Sequence, residues 1–259
     1  MGNAYTIPVG ANTAAEYLAY GDDSQFGDIL AFAFLIVRRT NLARAEERLT
    51  NLKLHYRIPA ETPLHCRILF NKIARKKSGI AHLTSHDARS IVARTVRIIN
   101  RVPILLRYGR DSLSRLQNSL GQEIEFTNEF DGSKFRVPVM ADPKGLLSLL
   151  MQGSFMVPPD GSGGPLASQC EIFVAEDATK VPFIGPRRQR ADRMYAGFSD
   201  IGAPSGGVFK LEPTMLQSRY TPMLQLADVA AYMCGHAGSS DGFFREQLNN
   251  VRLWWRFGY

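Results

Sequence analysis

An apolar run that begins at Tyr17 stops at Gly21-Asp22-Asp23-Ser24, and a second apolar run opens at Ile29 and continues to Val37. Runs of this length, bounded by turn-forming residues, predict two strands over 17–22 and 29–37. A short loop containing Gly27 joins them as an antiparallel hairpin, with the acidic pair at its turn. The period then changes. Over 41–55, Leu42, Ala45, Leu49 and Leu52 fall on one helical face and Arg44, Glu47 and Arg48 on the other. Pro59 and Pro63 break the chain before Leu64-His65-Cys66-Arg67. Thr84 and Asp87 have the spacing of a capping box, and Ile91, Val92, Thr95, Val96, Ile98 and Ile99 continue a second helix to Asn100.

Residues 103–108 read as a buried strand, followed by a polar hairpin-like region around Asp131-Gly132. A short helix is expected over 144–151, and the Pro- and Gly-rich stretch 158–165 reads as a linker or lid. The segment 170–175 is a strand that runs into Glu176 and Asp177, and 208–211 has a weaker strand pattern. The last strong element is a helix over 221–234, with Pro222 in its first turn.

That final helix carries the chain's sharpest anomaly. Asp228 shares a stripe with Leu224, Ala231 and Gly235, while the opposite side, with Leu226, Val229 and Met233, is also apolar. A helix apolar all round is buried. An unpartnered carboxylate there would cost several kcal/mol, so Asp228 must meet a metal, a proton or a cation such as Arg219. The small residues Ala227, Ala231 and Gly235 let the helix approach a sheet closely, bringing Asp228 towards the strand ends. Along the first strand, alternation sends Asp22 and Asp23 to opposite faces, and Asp22 is the better candidate for the site.

Composition narrows the class. The 259 residues are 45% hydrophobic, enough for one large domain with a buried core. No apolar stretch reaches the length of a membrane helix, and the first residues lack a signal-peptide layout, so the expectation is an intracellular, cytoplasmic protein with no membrane partner. Cys66, Cys170 and Cys234 are widely spaced among apolar neighbours and read as buried free thiols. The net charge of +7, with arginine outnumbering lysine, favours an anionic partner such as nucleic acid. Basic residues cluster at Arg75-Lys76-Lys77 and at Arg187, Arg188, Arg190 and Arg193. A protein partner or a homodimer is compatible with the aromatic C-terminus, Phe243, Phe244, Trp254, Trp255, Phe257 and Tyr259.

If Asp22, one of Glu176 or Asp177, and Asp228 converge, the chemistry that fits is metal-assisted phosphoryl transfer with Mg²⁺ or Mn²⁺, hard ions that prefer carboxylate oxygens. Asp23 is a further candidate ligand, and His65 a candidate proton shuttle. Ser24, Arg219, Gln225, Arg187, Arg188 and Arg190 are the candidates for substrate contact. A glycosidase would also need paired carboxylates, but no aromatic-lined sugar cleft is evident.

Tyr20-Gly21-Asp22-Asp23-Ser24 resembles the Tyr-x-Asp-Glu-Ser opening of the domain of unknown function 3800 family of prokaryotes and phages. The segment Ser218-Arg219-Tyr220-Thr221-Pro222-Met223-Leu224-Gln225-Leu226-Ala227-Asp228-Val229-Ala230-Ala231-Tyr232 resembles its closing Ser-Lys-x-x-x-x-Leu-Gln-Leu-Ala-Asp-x-x-Ala-Tyr signature. The second match is the more specific. Leu64-His65 and the acid-terminated segment before Glu176-Asp177 fall in the same order as in that family, so the likeness spans roughly 17–236. The resemblance implies a ribonuclease H-like α/β fold: a mixed five-stranded sheet flanked by helices, opening with an antiparallel hairpin. It also implies a single domain with a core over about 17–237, an aromatic-rich extension over 238–259, and metal-dependent cleavage of nucleic acid in phage, mobile-element or defence biology. On this resemblance Asp22 is the first-strand acid, Glu176 or Asp177 the later-strand acid, and Asp228 the last-helix acid. Two departures stand out: Asp23 where the family often has Glu, and Pro63 where an acid is expected. The second leaves the site one ligand poorer and keeps a catalytically inactive binding protein as the rival reading. A Gly-Asp-Asp hairpin also occurs in RNA-dependent RNA polymerases, but a chain this short has no room for fingers and thumb.

Overall fold

The computed structural model describes residues 15–119, 123–127, 134–138, 170–175, 214–217 and 221–257, together with residues 147, 150, 151 and 154. The chain opens with β1 (Tyr17–Phe26) and β2 (Ile29–Arg38), antiparallel along their whole length from Tyr17↔Arg38 to Phe26↔Ile29. The turn is tight because Gly27 adopts φ 58°, a left-handed conformation that glycine takes without a Cβ penalty. Then follow α1 (Leu42–His55), α2 (Cys66–Leu69), α3 (Lys72–Lys77) and α4 (Ser85–Arg101). The capping box of α4 is in place: the Asp87 amide donates to Thr84 Oγ1 at 3.1 Å and the Thr84 amide to Asp87 Oδ2 at 2.8 Å. Next come β3 (Leu105–Ser112), α5 (Leu113–Ser119), the hairpin of β4 (Glu123–Thr127) and β5 (Lys134–Pro138), β6 (Cys170–Ala175) and β7 (Thr214–Leu216). The chain closes with α6 (Pro222–His236), α7 (Phe243–Asn249) and β8 (Trp254–Phe257).

The fold is α/β, built on a mixed sheet in the order β7-β6-β1-β2-β3-β8. Four long strands, β6, β1, β2 and β3, form its body and two short ones extend the edges, so the expected count of five is not what the described residues give. β1, β2 and β3 run antiparallel in turn, whereas β6 pairs parallel with β1, β7 with β6 and β8 with β3. The aromatic C-terminus is therefore partly built into the sheet: β8 lies in register with Leu106 to Gly109 of β3.

Two apolar layers cover the sheet. On one face Leu18 and Tyr20 of β1, and Ala31, Ala33, Leu35 and Val37 of β2, join the core made by α1, α4, α6 and α7. On the other, Ala19, Phe32, Phe34, Ile36, Ile172 and Val174 pack with Leu150 and Met151. Gly21 is required on this second face, because a Cβ there would lie 2.5 Å from the Phe34 ring. Helix α6 sits directly on β1 and β2, and every residue in it except Pro222 and Tyr232 is buried, as its all-round apolar pattern predicts. Small residues make this possible: a Cβ added at Gly235 would stand 3.3 Å from Ser24 Oγ and 3.8 Å from Ala31 Cβ.

One expected boundary is corrected by this arrangement. Asp22 and Asp23 do not end a strand. β1 continues to Phe26 because the apolar run of β2 offers ten paired positions, and Asp22 lies opposite Ala33 in mid-strand. The basic cluster at 75–77 is divided: Arg75 is 6% exposed and its Nη1 donates to the Leu69 carbonyl, whereas Lys76 and Lys77 are exposed. The segments 158–165 and 208–211, the turn at Asp131-Gly132 and most of 144–151 lie outside the described residues. Among the described residues no helix is long and apolar enough to cross a membrane.

Candidate functional site

The site is assembled where β1, α6 and the segment 64–66 meet. Leu18 and Tyr20 face α6, and Ser24 touches Gly235, so strand alternation puts Asp22 on that same face. It is 7% exposed, and its Oδ1 accepts from the Asp23 amide at 2.9 Å. Asp23 points to the opposite face, which separates it from the α6 side on which Asp22 and Asp228 lie. Ser24 is packed against α6 rather than projecting into solvent.

Asp228 is also 7% exposed, and two of its partners come from the segment 64–66. The Cys66 amide donates to Asp228 Oδ2 at 2.7 Å, and His65 Nδ1 lies 3.1 Å from Oδ1. One turn earlier on α6, Gln225 Oε1 accepts from the Leu64 amide at 2.9 Å. Three consecutive residues, Leu64, His65 and Cys66, are thus stitched to one helix face. Pro63 brings the chain in extended, and α2 then starts at Cys66 with His65 as its N-cap.

His65 occupies a position with two possible uses. Its Nδ1 is 3.2 Å from the Arg67 amide as well as 3.1 Å from the Asp228 carboxylate. An unprotonated Nδ1 accepts from the amide and caps α2, whereas a protonated one donates to Asp228. The ring is 46% exposed, so protons can reach it. The Leu-His segment was legible in sequence, but its attachment to Asp228, across more than one hundred and sixty positions, was not.

Cys66 reports on the electrostatics. Its thiol is fully enclosed and pushed well above the ordinary cysteine range, first by burial, then by the charge and hydrogen bond of Asp228, and then by the charge of Asp22. Both carboxylates therefore act on the same buried point. The thiol is inert as a nucleophile at neutral pH. Tyr232, one turn beyond Asp228, is likewise raised to about 12 by burial and by Cys66 and Asp228. It stacks on His236 with centroids 3.7 Å apart and on Phe70 at 5.4 Å, and Phe26 from the hairpin tip meets His236 at 4.2 Å. Asp228, Tyr232 and His236 form an i, i+4, i+8 row, so an aromatic ridge leads away from the carboxylate along α6. This ridge was not read from the sequence; the i+4 spacing of Tyr232 and His236 was its signal.

Glu176, Asp177, Arg187, Arg188, Arg190, Arg193 and Arg219 lie outside the described residues, although β6 does carry the chain parallel to β1 up to Ala175. Gln225, 3% exposed, borders a small cavity with Leu49, Lys53, Ile58 and Pro222. Among the described residues no group of three or more His, Cys, Asp or Glu side chains is arranged to hold a metal. The donor chemistry of Asp22 and Asp228, two hard carboxylates on one face, fits one end of a Mg²⁺ or Mn²⁺ site. Comparison with family models, curated proteins and solved structures gave no match.

Proposed function

We propose that this protein is a divalent-metal-dependent nuclease of the ribonuclease H-like type, acting on nucleic acid. The observation that carries the reading is that Asp22 of the first strand and Asp228 of α6 lie on the same side of a mixed α/β sheet, where the charge of each raises the pKa of the enclosed Cys66 thiol. Its support includes the opening antiparallel hairpin and the two motifs that resemble the domain of unknown function 3800 family.

In this reading Asp22 and Asp228 would hold Mg²⁺ or Mn²⁺, with Glu176 or Asp177, which follow β6 in the chain, as the candidates for a further ligand. The bound cation supplies Lewis-acid activation of water and stabilises the leaving oxygen. Everything else is positioning by the chain. The Cys66 amide fixes the orientation of the Asp228 carboxylate, and a carboxylate offers about four lone-pair directions, so this bond is compatible with ligating a cation. Burial beneath α6 keeps the pair in a low-dielectric setting, where charge interactions are strengthened. His65, with one nitrogen on Asp228 and its ring half-exposed, is placed to move a proton between the site and solvent.

A second reading has its own observation. Asp228 is engaged by His65 and Cys66, which suits a carboxylate whose work is to fasten residues 64–66 to α6 in a catalytically inactive, nucleic-acid-binding protein. The two separate in one experiment. Incubation with single- and double-stranded DNA and RNA, with Mg²⁺, Mn²⁺ or chelator, is expected to give metal-dependent cleavage that Asp228→Asn abolishes. Cleavage unchanged in Asp228→Asn would sink the assignment of the site, and binding without cleavage under any metal would favour the second reading.

A further inference from the structure

A second charged site lies on the other flank of α6. Arg110 of β3 stands two residues after Tyr108, and Arg256 of β8 is the cross-strand partner of Tyr108. Tyr108 belongs to the core under the helices, and residues two apart or directly opposite share a face. Both arginines therefore project from the α6 face. Arg110 Nη2 presses on Gly238, where a Cβ would stand only 2.6 Å away, and Arg245 of α7 donates its Nε to the Ala237 carbonyl at 3.1 Å. Three guanidiniums so gather around the turn that follows α6. The row Asp22, Ala33, Tyr108, Arg256 crosses the sheet, which puts this cluster about 14 Å from Asp22 at the usual strand spacing.

The cluster is electrostatically incomplete among the described residues. The Nε atoms of Arg110 and Arg256 are buried and make no hydrogen bond. Burial lowers the affinity of Arg110 for its proton, Arg256 and Arg245 lower it further, and Tyr108 and Cys234 oppose them; among the described residues no carboxylate acts on it. A guanidinium does not escape by deprotonating. The carbonyl end of α6 contributes roughly half a negative charge, and among the described residues no carboxylate forms an ion pair with Arg110, Arg245 or Arg256. Buried donors without partners are costly. A structural role alone, capping α6, is fulfilled by Arg245 and does not account for the other two. The turn itself is open to solvent: Gly238 and Arg245 are exposed.

We infer that Arg110, Arg245 and Arg256 form an anion-binding site for a phosphate group. The planar fork of arginine matches phosphate oxygens in pairs, and the group is either a small phosphate or a backbone phosphate of nucleic acid. The site is independent of Asp22 and Asp228, so it is tested in chelator, where metal-dependent cleavage is silent. One arm follows the melting temperature in inorganic phosphate and pyrophosphate against chloride of equal ionic strength. The other follows the fluorescence anisotropy of a labelled single-stranded oligonucleotide. Arg110→Gln and Arg256→Gln are expected to weaken binding in at least one arm by about tenfold or more, the worth of one charge-assisted hydrogen bond. Arg101→Gln, which removes an exposed charge at the end of α4, leaves both arms unchanged. Should Arg110→Gln fail to fold, Arg256→Gln on the edge strand carries the test. Dependence in the first arm assigns a small phosphate, and dependence in the second alone assigns nucleic acid. No dependence in either arm, or an equal loss in Arg101→Gln, overturns the proposal.

Discussion

The Cys66 amide donates to Asp228 Oδ2 at 2.7 Å, joining the start of a one-turn helix to the middle of a helix buried on nearly all sides. The bond has two separable consequences. Asp228→Ala leaves a buried N–H without its acceptor, and the expected loss is about 1–3 kcal/mol in urea-unfolding experiments. Asp228→Asn keeps an amide oxygen for the Cys66 N–H when that oxygen takes the Oδ2 position, so its stability is expected to stay within about 1 kcal/mol of the parent while metal-dependent cleavage is lost. Equal stability losses in the two variants would show that the charge of Asp228, rather than the bond to Cys66, holds the segment.

Strand alternation makes Asp22 and Asp23 opposites despite their adjacency. Asp22→Asn is expected to remove the rise in melting temperature produced by Mg²⁺ or Mn²⁺, since a ligand that binds only the folded state stabilises it by mass action. Asp23→Asn, on the face away from α6, is expected to retain that rise. A thermal scan with and without metal on both variants decides the matter, and loss of the rise in Asp23→Asn alone would reverse the assignment.

These contrasts also locate what was readable in the chain. The periodicity of Leu42, Ala45, Leu49 and Leu52 and the capping pair Thr84 and Asp87 are local signals, and they yielded α1 and α4 within a residue. The all-apolar surround of Asp228 announced a buried carboxylate needing partners, because desolvation is a property of the helix itself. The identity of those partners was not local: His65 and Cys66 reach Asp228 only through the packing of α2 on α6. Arg75 likewise stands in the sequence as one of a basic cluster, and the tertiary path of residues 69–75 is what buries it against the Leu69 carbonyl. β1 overran its expected end because pairing with β2 outweighed the turn preference of Gly, Asp and Ser.

His236 gives the expected dependence on pH. Burial, chiefly, holds its imidazole below the ordinary histidine range, with the Tyr232 carbonyl and Asp241 opposing. On acidification the unfolded chain therefore takes up the proton first, and it binds more protons than the folded one across that window. Stability rises with pH there, and it falls as pH drops below about 6.5, the ordinary value. His236→Phe keeps a ring against Tyr232 and Phe26 but cannot titrate. Urea midpoints between neutral and mildly acidic pH are expected to fall more steeply for the parent than for His236→Phe; parallel curves would remove His236 as the cause.

Gly21 separates the two faces of β1 most cleanly. A Cβ at this position would meet Phe34 Cε1 at 2.5 Å and Phe32 Cε1 at 2.8 Å, both ring atoms in a packed layer. Gly21→Ala is therefore expected to cost about 1–3 kcal/mol, the usual range for overpacking a core. The strain is confined to the face away from α6, so the response of the melting temperature to Mg²⁺ is expected to persist. Phe34→Leu removes the nearest ring. In the Gly21→Ala background it should cost less than it does in the parent, a coupling that a double-mutant cycle measures directly. Additive losses would mean that the strand shifts as a body instead of pressing on Phe34. In that case Asp22, the next residue along, would move with it and the metal response would weaken.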